Sequence, residues 1–154
     1  MSQLRRTGLV LGLGVAFLLF SGFSSWHYLS PVAKGTSEGV TRHIALLKSG
    51  KAQQRAAAAY WLGQQKAAAA EAVETLVGLL GDTSEVNPAQ YRNRSALQKL
   101  TLGEEAAAAL VNIGHASVEP LIRVLRSSPS PEARKNAAWA LGALHDTGAT
   151  TTQI

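Results

Sequence analysis

The residues that most often carry out catalysis or bind metals are few and scattered in this chain. None of the four histidines, His27, His43, His115 and His145, lies three or four residues from another histidine or near a group of carboxylates, so they predict no metal site. The absence of cysteine excludes disulfides, thiolate-bound metals and a thiol nucleophile. No glycine-rich phosphate loop, nucleophile elbow or Ser-His-Asp arrangement is present. We therefore predict a chain that is not an enzyme and uses no cofactor.

Two pairs of carboxylates are the remaining candidates for acid–base chemistry. They are Glu71 with Glu74, and Glu104 with Glu105. Glu104 and Glu105 stand where a helix is predicted to begin, and negative charge there complements the helix dipole. This structural role is the simpler interpretation of the pair.

The densest basic and aromatic cluster consists of Arg92, Arg94, Lys99 and Tyr91. Such a cluster can bind phosphate groups, although three charges are more often the solvated face of a helix. The formal net charge of the whole chain is only +5. That excess is too small to predict a nucleic-acid partner.

An uncharged and mostly apolar stretch near the amino terminus predicts a membrane anchor. Arg5 and Arg6 precede residues 7–20 (TGLVLGLGVAFLLF), and residues 21–29 (SGFSSWHYL) continue the stretch. About 23 residues at 1.5 Å each form a helix of roughly 34 Å, enough to cross a hydrocarbon core of about 30 Å. The anchor residues, with the last two at the far interface, are Leu9, Leu11, Phe17, Leu18, Phe20, Trp26 and Tyr28.

The same stretch also has features of a cleaved signal peptide. A basic start followed by an apolar run is typical of one, and the best cleavage site is after Ser24, although it lacks the usual Ala-x-Ala pattern. Both interpretations place the rest of the chain outside the cytoplasm. We predict a single-pass membrane protein with an exported (periplasmic or extracytoplasmic) carboxyl-terminal domain or, alternatively, a secreted domain.

The remainder of the chain predicts an all-α domain between two polar segments. Residues 30–39 (SPVAKGTSEG) predict a flexible linker, residues 40–146 the folded domain and residues 147–154 a polar tail. Alanine, leucine and glutamate dominate the domain, and its apolar residues recur at helical spacing. The predicted helices cover residues 40–48, 52–62, 67–80, 88–100, 104–113, 118–126 and 132–144.

Two short motifs repeat along these helices. Residues 55–63 (RAAAAYWLG), 106–114 (AAAALVNIG) and 134–142 (RKNAAWALG) align with one another, and so do residues 73–82 (VETLVGLLGD) and 118–127 (VEPLIRVLRS). The small alanines allow one helix to lie close to the next, while the larger residues interdigitate. This repetition predicts a short α-solenoid of about three to four helix pairs.

These motifs resemble the HEAT-like repeats named after the phycobilisome lyases, in which R-x-x-A-A-x-x-L-G alternates with V-E-P-L-x-x-x-L. The resemblance covers residues 40–146 and is clearest at residues 118–125 and 134–142. It departs at Ala106, where the pattern has arginine, and in the segment 83–103, which interrupts the repeats. The resemblance implies a protein-binding role, because solenoids of this kind present an extended binding surface.

The resemblance also implies which residues face the bound protein. In the family, the second helix of each pair lines the concave face. The residues that this places near a partner are Arg42, Lys48, Glu71, Glu74, Arg123 and Arg126.

The last predicted helix, residues 132–144, is a second candidate for docking. Only the short polar sequence HDTGATTTQI follows it, and each repeat of a solenoid normally buries its face on the next. An uncovered outer face that includes Ala143 would then bind a partner. The alternative is that Trp139, Leu141 and Leu144 pack inward and close the array.

The function that these features favour is a membrane-anchored, non-catalytic scaffold that binds a protein, without a nucleic-acid partner or a small-molecule substrate. One alternative is a small accessory subunit of a larger membrane complex, in which Gly8, Gly12 and Gly14 face a neighbouring span. Another is a lyase-like or nucleic-acid-acting enzyme subunit, since HEAT-like proteins include bilin lyase subunits and DNA glycosylases. The predicted anchor and the missing catalytic residues argue against this second alternative.

Overall fold

A computed structural model describes residues 37–92 and 99–148, all of which fall within one unit of the chain, Pro31–Ile154. The predicted membrane segment at residues 1–29, Arg94 and most of the predicted tail lie outside the described residues. Within them, no helix combines the length and the apolar character needed to cross a membrane. The membrane anchor therefore stays a prediction.

Six α-helices and one short β-ladder make up the described part of the chain. The helices are α1 (Ser37–Ser49), α2 (Ala52–Gln64), α3 (Val73–Val77), α4 (Leu102–Ile113), α5 (Val118–Ser127) and α6 (Pro131–Asp146). The 3-10 helices are Lys66–Ala72, Pro88–Gln90 and His115–Ser117. Strand β1 (Glu85–Val86) pairs antiparallel with β2 (Leu100–Thr101).

The helices pack as three successive hairpins, α1–α2, α3–α4 and α5–α6. The hairpins stack so that α2, α4 and α6 form one layer and α1, α3 and α5 form the other. The core between the layers is built from fully buried leucines and alanines, among them Leu47, Leu62, Leu110 and Leu144. This architecture is consistent with the short α-solenoid predicted from the repeats.

Equivalent positions of the repeated motifs have equivalent roles in the core. Ala58, Ala109 and Ala137 are buried at the same place in α2, α4 and α6. A Cβ atom at Gly63 would lie 3.0 Å from the Cα of Ala109. Glycine is required at this position because α4 approaches the backbone of α2 so closely.

The segment between α3 and α4 is the main departure from the prediction. In the first and third hairpins the two motifs start 15 and 16 residues apart, at Val40 and Arg55 and at Val118 and Arg134. In the second hairpin they start 33 residues apart, at Val73 and Ala106. The predicted helix at residues 88–100 is wrong, because a 3-10 turn and the β-ladder occupy the described part of this insertion. Val86 and Pro88 anchor it in the core.

Several local expectations also differ from the structure. Helix α1 begins at Ser37, within the predicted linker, and the residues predicted as helix at 67–72 form a 3-10 turn. At the start of α6, the Ser130 hydroxyl accepts a hydrogen bond from the Ala133 N–H and caps the helix. Ser117 precedes α5 without capping it, and its hydroxyl donates to the carbonyl of Leu110.

Candidate protein-interaction faces

The outer surface of α1, α3 and α5 carries all six charged residues that the resemblance placed near a partner, although these are the first helices of the hairpins and not the second. We call this surface the odd-helix face. All six residues are exposed: Arg42 and Lys48 on α1, Glu71 just before α3, Glu74 on α3, and Arg123 and Arg126 on α5.

In the middle of the odd-helix face, glycines occupy motif positions that are lysine or arginine at its edges. The motif position that is Lys48 in α1 and Arg126 in α5 is Gly81 after α3, and the position of Arg123 is Gly78. Helix α3 packs against both α1 and α5. A Cβ atom at Gly81 would contact the Ser130 side chain before α6, whereas one at Gly78 would contact only carbonyls of the same helix. The centre of the face is therefore low at Gly78, with cations on α1 and α5 to either side.

Two of the six charged residues already form an ion pair. The Arg123 guanidinium donates to the Glu74 carboxylate at 2.6 Å and links α5 to α3. Both side chains are more than half exposed, and such pairs contribute little stability. Arg42 contacts Glu38 at 4.0 Å on α1. Within the described residues, Lys48, Glu71 and Arg126 form no ion pair, so half of the six charged residues remain available to a partner.

The second candidate, the outer surface of α6, exposes a large aromatic side chain. Trp139 is 56% exposed, so the expectation that it packs inward to close the array is wrong. Leu144 is buried as expected, whereas Leu141 and Ala143 are only half-buried. The small residues Ala133, Ala137 and Ala140 form the inner side of the helix, and the tryptophan therefore points away from the core.

Helix α5 also exposes a large apolar side chain. Leu125 is 40% exposed, although the equivalent Leu47 of α1 and Leu80 after α3 are 1% and 0% exposed. The third hairpin therefore presents apolar side chains that its predecessors bury.

A groove of about 420 Å³ lies beside Trp139, between α6, α4 and the insertion. Its walls combine aliphatic and charged groups. The lining residues are Arg92, Leu100, Glu104, Ala108, Lys135, Asn136 and Trp139.

The described residues of the basic and aromatic cluster, Tyr91, Arg92 and Lys99, all bind carboxylates of the chain itself. The Arg92 guanidinium donates to the Glu105 carboxylate at 2.6 Å, and the Tyr91 hydroxyl donates to the same oxygen at 2.8 Å. Arg92 also lies over the ring of Tyr60, 5.3 Å from its centroid, and the Lys99 ammonium donates to Glu85 at 2.7 Å. The alternative prediction, that these residues form the solvated face of a helix, is wrong for residues 91–92 and 99, because they are not helical.

Glu105 is the residue of this cluster that the sequence did not identify. Its side chain is only 2% exposed, and burial together with the Glu105 charge raises the pKa of Tyr91. Glu104 has the predicted role at the start of a helix: its carboxylate accepts from the Thr101 N–H at 2.8 Å while the Thr101 hydroxyl accepts from the Glu104 N–H at 3.2 Å. Adjacent glutamates thus have different roles, one capping α4 and one fixing the insertion.

A second buried titratable group lies between α1 and α2. The ring of His43 stacks on Trp61 with 3.9 Å between centroids, and its Nδ1 bonds the carbonyl of Gly39 at 2.8 Å. Burial lowers the pKa of His43, the bond to Gly39 opposes this, and Arg42 lowers it further. Across residues 37–92 and 99–148, no three histidine, aspartate or glutamate side chains are grouped to hold a metal. The stacking and the hydrogen bond give His43 a packing role between α1 and α2.

Two family models match the later hairpins. The model of the PBS lyase HEAT-like repeat matches residues 104–127, and that of the Armadillo/beta-catenin-like repeat matches residues 116–144. No curated protein and no solved structure matches the chain. The two matches support a HEAT-like repeat protein, and repeats of both kinds are typically protein-interaction scaffolds.

Proposed function

We propose that this HEAT-like repeat chain is a membrane-anchored scaffold that binds a partner protein across the odd-helix face and catalyses no reaction. The observation that supports this function most is the exposed set of charges on α1 and α5, on either side of the glycines at positions 78 and 81. A rigid stack of helices keeps these charges at fixed separations. Fixed separation of charges is what specific recognition of another protein requires.

The charges indicate the chemistry of the partner. Lys48 and Arg126, which form no ion pair, favour acidic side chains on the bound segment, and Glu71 favours a basic one. Such complementarity accelerates association and excludes wrongly charged partners more than it adds affinity.

A photo-reactive amino acid at position 78 of the full chain, irradiated in native membranes, tests this proposal. We expect one major cross-linked protein, lost when Lys48→Glu and Arg126→Glu are combined and retained in the control Lys99→Glu, whose charge lies on the insertion. Cross-links that are absent, or that survive the double charge reversal, would contradict the proposed face.

We further propose that residues 7–29 hold the scaffold in the membrane with the helical domain exported. The length of this stretch and the two arginines before it support this arrangement. Its alternatives are a secreted domain and an accessory subunit that packs its span against others. The name of one matched repeat also leaves a lyase role as an alternative, which turnover of a bilin by the purified chain would establish.

A further inference from the structure

The exposed side of α6 contains a regular stripe of four residues. Lys135, Trp139, Gly142 and Asp146 are spaced by four, three and four residues, and all four are exposed. At 3.6 residues per turn, this spacing places them within about 60° of one another around the helix axis. We call these four residues the α6 stripe.

The centre of the α6 stripe combines a large side chain with an adjacent gap. Trp139 is 56% exposed, and a Cβ atom at Gly142 would have no atom within 4 Å. At Gly63, the equivalent position in α2, a Cβ atom would contact α4. The stripe thus offers both an aromatic knob and the backbone surface on which a helix of the internal stack would lie.

We propose that two copies of the chain associate through this stripe, with the two α6 helices antiparallel about a two-fold axis. Reversal of one helix places Trp139 of each copy opposite Gly142 of the other. It also places Lys135 of each copy opposite Asp146 of the other. The stripe is therefore complementary to itself in both shape and charge, as an isologous interface requires.

The alternative alignments of the two helices lack this complementarity. A parallel pair would place Lys135 against Lys135 and Trp139 against Trp139, which sets like charges and large side chains against each other. In one copy, Lys135 forms an ion pair with Glu132 one turn away, and Asp146 has only a 3.6 Å contact with His145. These exposed contacts are weak enough to be exchanged for contacts with a second copy.

Self-association through α6 leaves the proposed partner site open. Helix α6 belongs to the layer of α2 and α4, whereas the odd-helix face belongs to the other layer. A dimer would carry two odd-helix faces. Two faces held together bind a partner that has two matching segments more tightly than either face alone. The dimer itself does not depend on the proposed function.

The test exchanges charges within the stripe of the full chain, kept in a mild detergent. Lys135→Asp alone and Asp146→Lys alone each place like charges opposite each other, so we expect at least about a tenfold weaker dimer for each by sedimentation. An equimolar mixture of the two variants, carrying different fluorophores, is expected to form a mixed dimer because every opposed pair in it has opposite charges. Trp139→Ala and Gly142→Leu should also lose the dimer, whereas the control Lys99→Asp should keep it.

The amino-terminal stretch can associate by itself, but it is identical in all of these variants. Differences between variants therefore report on α6 alone. A wild-type chain that is monomeric at every concentration would overturn the proposal. So would single variants that associate like the wild type, or a mixture that fails to form the mixed dimer while each variant keeps the wild-type melting temperature.

Discussion

At the scale of single residues, His43 is a histidine at a motif position where the other two hairpins have leucine. The equivalent residues are Leu76 in α3 and Leu121 in α5. The pKa of His43 is lowered from 6.5 by burial against Trp61. The imidazole of His43 therefore binds a proton less readily in the folded chain than in the unfolded chain. As a result, the free energy of unfolding falls as the pH decreases below about 6.5, and this group does not affect it well above that pH. We expect His43→Leu to remove this loss, measured by urea unfolding at about pH 7.5 and about pH 5.5.

The control for this prediction is the exposed His145→Leu, which should leave the pH dependence unchanged because its side chain is 79% exposed. A His43→Leu chain that loses stability below pH 6.5 as steeply as the wild type would show that another group titrates in this range.

The buried carboxylate of Glu105 makes a second prediction at this scale. Arg92→Met leaves this carboxylate in the core with the Tyr91 hydroxyl but without its cation. We expect a loss of about 3 kcal/mol in the free energy of unfolding, because an uncompensated buried charge is costly. The double variant Arg92→Met/Glu105→Met should be more stable than the single one. Equal stability of the two variants in denaturant unfolding would argue that the ion pair does not hold the insertion.

At the scale of the helices, α6 separates stability from recognition on its two sides. Leu144 is fully buried and Trp139 is 56% exposed. Leu144→Ala should therefore cost about 2–5 kcal/mol of unfolding free energy, whereas Trp139→Ala should change it by less than about 1 kcal/mol. Thermal and urea unfolding of both variants measures this difference. A Trp139→Ala variant as unstable as Leu144→Ala would mean that the tryptophan packs inward after all.

How much the sequence predicted depended on how regularly its motifs repeat. The helices at residues 52–62 and 118–126 were predicted within two residues, because their alanines and leucines recur at the spacing of a buried stripe. The insertion was predicted as a helix because its local composition contains no strong breaker after Pro88. Its structure depends on Glu105 in the next helix, 13 residues from Arg92, and on the pairing of strand residues 14 and 16 positions apart, which local patterns do not report.

The exposure of Trp139 was missed for a related reason. Inward packing of Trp139 was the alternative suggested by the general preference of large apolar side chains for the core. Burial in a solenoid depends on the neighbouring hairpin and not on the motif itself. Only the packed structure shows that nothing among the described residues covers this part of α6.

At the scale of the whole molecule, the stacked hairpins make stability nearly additive between neighbours. The hairpin α3–α4 contacts both of the others, while α1–α2 and α5–α6 each have one neighbour. We therefore expect amide hydrogen exchange to be slowest in α4, where Leu110 is fully buried, and faster in α1 and α5. The reverse order, with α4 exchanging fastest, would show that the insertion loosens the centre of the stack.

The proposed attachment to the membrane belongs to this scale as well, since it would determine where both proposed interaction faces lie. An anchor that is not cleaved predicts that the chain recovered from membranes has its full mass of 16.2 kDa, and that alkaline washing does not release it. Leu18→Arg should release it, because a charge at the centre of a span costs about 2.5–3.5 kcal/mol; Ser2→Arg, outside the apolar stretch, is the matched control. Intact mass measurement decides the outcome: a mature chain that has lost residues 1–24 would replace the anchor with a signal peptide. The two faces would then act in solution, where a dimer through α6 forms only at the concentration that its own affinity demands.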